Sequence, residues 1–171
     1  MKLTSLILTL SSLSLTAFGQ TAAAGSPRLV CLFLDFSSMS PQDQLKAQES
    51  AIQFVEQQAA PSDLVEIATY TSRLSVVQDF TADRDSLLTA LKNIVPGDAA
   101  SASGDLGGRL QAIQDAAASL SRFPAKKALV YFSSGISVKD NDNSELSATV
   151  NALSRANVAV WAIDTAKSGA Q

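Results

Sequence analysis

From Leu29 to Leu34 the chain reads Leu-Val-Cys-Leu-Phe-Leu without a polar residue, and it then meets Asp35, Phe36, Ser37, Ser38, Met39 and Ser40. An unbroken apolar run of strand length, bounded by turn-forming residues, fits a strand buried on both faces. Such strands lie in the middle of parallel sheets covered by helices on each side. The aspartate that ends the run is the unusual element. Burying a carboxylate costs several kcal/mol unless a partner engages it. At the carboxyl edge of an open α/β sheet, that position commonly faces a ligand or a metal.

The rest of the chain alternates in the same way. Ser40-Pro41 with Asp43 reads as a helix start, with Ser at the N-cap, Pro in the first position and an acid in the first turn. Leu45, Ile52 and Val55 then give one apolar face, and Pro61 ends the helix. Leu64–Tyr70 is a second strand and Leu74–Phe80 a third. The turn between them, Thr71-Ser72-Arg73, is too short for a crossover, so the third strand must run antiparallel. Leu87, Leu88, Leu91 and Ile94 form a short helix opened by Asp83-Arg84-Asp85. After a loop of small residues from Pro96 to Asp105, Leu106, Leu110, Ile113, Ala117 and Leu120 mark the cleanest helix. Ala128–Phe132 is the fourth strand and leads into Ser133-Ser134-Gly135. Asn141-Asp142-Asn143-Ser144 caps a helix bearing Leu146, Val150 and Leu153, and Val158–Ile163 is a fifth strand that includes Trp161, expected in the core.

These elements predict an α/β fold with a doubly wound, mostly parallel, Rossmann-like sheet in the order 3-2-1-4-5 and helices on both faces. The topological switch then falls between strands one and four. Asp35–Ser38 and Ser133–Ser134 should meet at one crevice.

The first residues stand apart from this pattern. Lys2 precedes an apolar run from Leu3 to Leu15, and Ala17-Phe18-Gly19 supplies small residues before Gln20. That order is a cleavable secretory signal over residues 1–19, followed by a short linker over 20–27 and one domain over 28–171. The run falls short of the ~20 residues a membrane span needs. The expected location is therefore secreted or periplasmic. Cys31, the sole cysteine, lies inside the strand run and reads as a buried, inert thiol. A secreted domain without a disulfide relies on its core, which points to a bacterial protein.

Charge and composition remove several functions. The 13 Lys and Arg are scattered rather than gathered in a stripe, so nucleic acid is not an expected partner. With 0 His, the Ser-His-Asp and Cys-His mechanisms are unavailable, as are most zinc sites. A dinucleotide site would need a glycine-rich turn after the first strand, where Phe36-Ser37-Ser38-Met39 has no glycine. An aspartyl phosphotransferase of the haloacid-dehalogenase type would need Asp-x-Asp. Ser133 resembles that family's second motif, but Ser37 replaces the second acid. That chemistry stands as the alternative function.

The chain resembles the von Willebrand factor type A fold over nearly all of residues 28–171. The likeness rests on Asp35-x-Ser37, the helix start near Ser40 and the antiparallel strand Leu74–Phe80. The long loop before Leu106-Gly107-Gly108-Arg109-Leu110 and the strand Leu129–Ser133 also carry it. Leu34–Met39, Val77–Thr81, Tyr131–Gly135 and Ala162-Ile163-Asp164 look closer still to a related group of secreted acidobacterial proteins. The resemblance implies a secreted, non-catalytic protein-interaction domain whose strand-end face binds a protein ligand. The family holds a divalent cation there with Asp-x-Ser-x-Ser, a later threonine and an aspartate after strand four.

Carried over, Asp35 and Ser37 are the metal ligands present. Met39 occupies the third position, Gly104 the threonine position with Ser103 beside it, and Ser134 the last aspartate. A thioether is a poor ligand for a hard cation. The resemblance thus implies a degenerate metal-dependent adhesion site, holding Mg²⁺ or another divalent cation weakly if at all. The ligand-binding face comprises Ser38, Ser103, Asp105, Ser133 and Ser134. The family normally adds a further helix and a sixth strand, so the domain reads as C-terminally incomplete. Val158–Ile163 would then be an uncovered edge open to self-association.

Overall fold

A computed structural model describes residues 27–97, 105–135 and 143–165. Residues 1–19, read above as a signal, nearly all of residues 20–27, and Ser103, Gly104 and Asp142 lie outside the described residues. Among the described residues nine elements follow one another: β1 (Leu29–Asp35), α1 (Pro41–Gln57), β2 (Leu64–Tyr70), β3 (Leu74–Thr81), α2 (Arg84–Lys92), α3 (Leu106–Ser121), β4 (Lys127–Ser133), α4 (Asn143–Ala156) and β5 (Val158–Asp164). The sheet order is β3-β2-β1-β4-β5, as the alternation predicts. β1 pairs in parallel with β2 and β4, β4 in parallel with β5, and only β3 runs antiparallel.

Every residue of β1 is buried, because its two faces feed two separate cores. Val30, Leu32 and Leu34 point into a cluster with Ala47, Ala51, Phe54 and Val55 of α1 and Leu87 and Leu91 of α2. Leu29, Cys31 and Phe33 point the other way, into a cluster with Leu110, Ile113, Ala117 and Leu120 of α3. Strand periodicity alone produces this division, since successive side chains alternate between faces.

Three expectations about faces are corrected. Leu45 is 46% exposed, and the buried stripe of α1 is Gln44, Ala47, Gln48, Ala51, Phe54 and Val55. The two glutamines displace Leu45 because they hold the end of α2 and the loop beyond it. Gln48 Nε2 donates to the carbonyls of Leu91 and Ile94, and Gln44 Nε2 to those of Met39 and Gly97. In α4 it is Thr149 that is buried, hydrogen-bonded by Gln114 Nε2 at 3.0 Å, while Val150 is exposed. Trp161, expected in the core, is 44% exposed on the outer strand β5, with the Arg28 guanidinium 5.5 Å from its ring.

One buried acid sits away from the strand ends. Glu66 of β2 lies opposite Cys31 in register, with the thiol near its carboxylate. Burial raises the Glu66 pKa, the Cys31 contact opposes this, and Asp79 adds to the rise. An acid with a raised folded-state pKa binds its proton more tightly when folded than when unfolded. Stability is therefore lost as pH climbs from the ordinary glutamate range through that raised value. Glu66→Gln is expected to raise the melting temperature at neutral pH and to leave it unchanged well below the glutamate range. Thermal denaturation of both proteins across pH checks this. A variant equally stabilised at all pH values would exclude titration as the cause.

Candidate functional site

β1 ends at the topological switch, and the turn after it brings the predicted residues together. Phe36 N–H donates to the Tyr70 carbonyl at 2.8 Å, and Met39 N–H to the Phe36 carbonyl at 3.3 Å, which closes the turn. Met39 is fully buried in the α1-side core, so the third motif position is a core residue and not part of the polar site. Ser40 caps α1 by accepting from the Asp43 N–H at 3.2 Å. Ser38 and Ser134 meet across the crevice with their hydroxyl oxygens 3.3 Å apart. Ser133 is inward, where its hydroxyl accepts from the Gly135 N–H at 3.3 Å and its carbonyl from the Thr165 N–H at 2.9 Å. Asp105 is exposed and caps α3, accepting from the N–H groups of Gly107 and Gly108 at 3.2 Å each.

Asp35 itself is 0% exposed, and both of its oxygens are engaged. Oδ1 accepts from the Ser37 N–H at 3.1 Å and the Ser37 hydroxyl at 2.6 Å. Oδ2 accepts from Arg109 Nε at 2.7 Å and from the Tyr131 hydroxyl. Arg109, 5% exposed, donates through its Nη2 to the Gly135 carbonyl at 3.2 Å. Gly135 adopts φ +101°, a conformation that disfavours any side chain. Burial by itself would lower the Arg109 pKa, but the Asp35 and Tyr131 oxygens outweigh it and hold the guanidinium above its ordinary value. Burial first, then the Asp35 charge, pushes the Tyr131 phenol far up, so it stays a proton donor.

α3 can approach this closely because its first turn is glycine. A Cβ at Gly108 would lie 2.6 Å from the Tyr70 hydroxyl, nearer than a real Cβ contact allows. The Tyr70 pKa is also raised, by burial and then by the carboxylates of Asp35 and Asp105.

Arg109 and Tyr131 are the functional residues that the motif reading missed. A signal existed for the first. Arg109 falls within a helical stripe otherwise formed by Leu110, Ala112, Ile113, Ala116 and Leu120. An arginine on a buried face implies a buried anion, and Asp35 is the acid that ends a buried strand.

This donor set does not fit a divalent cation. A hard cation needs free oxygen ligands and usually more than one carboxylate. Here the Asp35 carboxylate is already bound by a guanidinium, Ser37 is turned onto it and Met39 is in the core. Among the described residues, no group of three or more His, Cys, Asp or Glu side chains could hold a metal ion.

A family profile described as von Willebrand factor type A domain matches residues 30–137. The comparison with curated proteins finds no significant match. Among solved structures, the chain is similar to an aerotolerance-related membrane protein from Bacteroides fragilis at TM-score 0.57 and 22% identity, over 78% of this chain and 65% of that one. It is similar to the conserved hypothetical protein BatB from Bacteroides thetaiotaomicron at TM-score 0.53 and 18% identity, over 78% and 64%. It is also similar to the N-terminal domains of the type V pili tip protein Mfa5 from Porphyromonas gingivalis at TM-score 0.51 and 20% identity, over 68% and 23%. The chain thus spans less than two thirds of each of these proteins' length, and the likeness is one of fold.

Proposed function

Because the chain belongs to the von Willebrand factor type A domain family, we propose that it is a secreted, non-catalytic module that binds a protein ligand through the strand-end face. The observation that carries this reading is the layering of that face. Ser38 and Ser134 form an outward polar rim over an Asp35 whose oxygens are both saturated by internal donors. Such a face can recognise a surface but offers no free nucleophile. The haloacid-dehalogenase alternative needs an unencumbered aspartate oxygen and a second acid, and Ser37 stands where that acid would be. The order of a basic residue, an apolar run and small residues over positions 1–19 supports export. Among the described residues no helix is long and apolar enough to cross a membrane.

The test is capture of extracellular proteins on the immobilised protein, compared with a Ser38→Arg/Ser134→Arg variant. Retention of a defined protein by the wild type alone is expected. Equal retention by both would remove the face from the binding function. Turnover of p-nitrophenyl phosphate with Mg²⁺, lost in Asp35→Asn, would favour the enzyme instead.

The partner surface extends to β5. Ala159 to Ala162 are all exposed on this outer strand, including Val160 and Trp161. Among the described residues β5 pairs with β4 on one side, and an apolar edge strand of this kind invites pairing on the other. Self-association through Val158–Ile163 is expected as a concentration-dependent dimer in sedimentation, lost in Val160→Lys. A wild type that stays monomeric at high concentration would exclude it.

A further inference from the structure

We propose that the Arg109 guanidinium stands where this fold would hold a divalent cation: it is the resident positive charge of the strand-end site and closes that site to metal. Arg109 joins three segments with one side chain. It leaves the first turn of α3, binds Asp35 at the end of β1 and reaches the carbonyl of Gly135 just after β4. Those are the segments from which a cation's ligands would have to come if it were to hold the strand ends together.

The charges agree with this. The buried part of the site has one carboxylate, from Asp35, and one guanidinium against it, the pair being almost fully buried, while the exposed Asp105 carboxylate is engaged in capping α3. Where a second carboxylate would balance a dication, the rim has the Ser134 hydroxyl. Adding a dication would place it against a buried like charge with no extra anion to offset it. Tyr131 completes the cage by donating to the same oxygen that Arg109 binds, so neither Asp35 oxygen is left for a metal. The fork geometry of arginine suits this role better than lysine, since separate nitrogens of one rigid plane serve Asp35 and Gly135.

The inference deepens the reading of the strand-end face and rests on it. Its test uses stability and metal binding without any protein ligand, so its failure is distinct from failure of that reading. Melting temperatures of the full chain are measured in EDTA and in millimolar Mg²⁺ or Mn²⁺, and Mn²⁺ binding is followed by electron paramagnetic resonance. The wild type should be unmoved by metal and leave Mn²⁺ free. Arg109→Ala should melt lower in EDTA and be partly restored by Mn²⁺, with the restoration lost in Asp35→Asn/Arg109→Ala. Arg109→Lys should melt lower than wild type yet remain insensitive to metal, because the charge stays. Mn²⁺ binding by the wild type would overturn the proposal. So would an Arg109→Ala protein as indifferent to metal as the wild type. Should Arg109→Ala not fold, the decision falls to wild type and Arg109→Lys, where a metal response in either rejects the idea and none in both sustains it.

Discussion

Asp35→Ala is expected to destabilise the domain by about 3–5 kcal/mol, the range for breaking a buried ion pair by removing one partner. The loss comes mainly from what is left behind. Arg109 would remain buried with its charge uncompensated, and the Tyr131 hydroxyl and the Ser37 N–H would lose their acceptor. A double substitution, Asp35→Ala/Arg109→Met, removes both charges and should be clearly more stable than the sum of the single losses. Urea denaturation of the four proteins followed by circular dichroism measures this coupling. Simple additivity would mean that the ion pair seen between Asp35 and Arg109 contributes nothing as a pair. The result also bears on why the motif persists in this chain, since a carboxylate needed for internal stability requires no metal.

Phe33→Ala is expected to cost about 3–5 kcal/mol, the usual loss for a large-to-small change in a core that cannot collapse around the gap. Phe33 is fully buried in the middle of the central strand. Its ring lies 5.5 Å from that of Tyr131 and 6.4 Å from that of Tyr70. Both neighbours belong to the strand-end site, so the cavity would also loosen the phenol that binds Asp35. Val95→Ala, at a residue 85% exposed, should stay within about 0.5 kcal/mol and serves as the contrast. Denaturant midpoints of the two variants decide the matter. A small effect at Phe33 would mean that the α3-side core repacks freely.

The two predictions meet at one residue, Tyr131, which belongs at once to the α3-side core and to the Asp35 cage. Core packing and site geometry are therefore coupled on this side of the sheet. On the other side, Met39, Phe36 and Phe54 pack their side chains into the α1-side core.

The elements and the sheet order could be read from the sequence because each depends on short-range pattern. The unbroken run of β1, the Ser40-Pro41 start of α1 and the three-residue turn before β3 constrain the chain within a few residues of themselves. The crevice between Asp35–Ser38 and Ser133–Ser134 follows from strand order, and Ser38 and Ser134 do meet there. Side-chain partners over long range were not readable in the same way. Leu45 looked like a core residue until Gln48 found a carbonyl at the end of α2 and Gln44 one in the loop beyond it, and Trp161, on a strand already expected to lie outermost, is exposed beside Arg28 rather than in the core.

Asp35 shows the division most clearly. Its position at the end of a buried strand, and hence the need for a partner, was determined by the sequence alone. Which partner answers that need was decided only by the tertiary structure, which carries Arg109 across 74 residues to within 2.7 Å of it. Local pattern dictates where a charge is buried, through the period of the strand. What neutralises it depends on which helix face the packed sheet brings alongside.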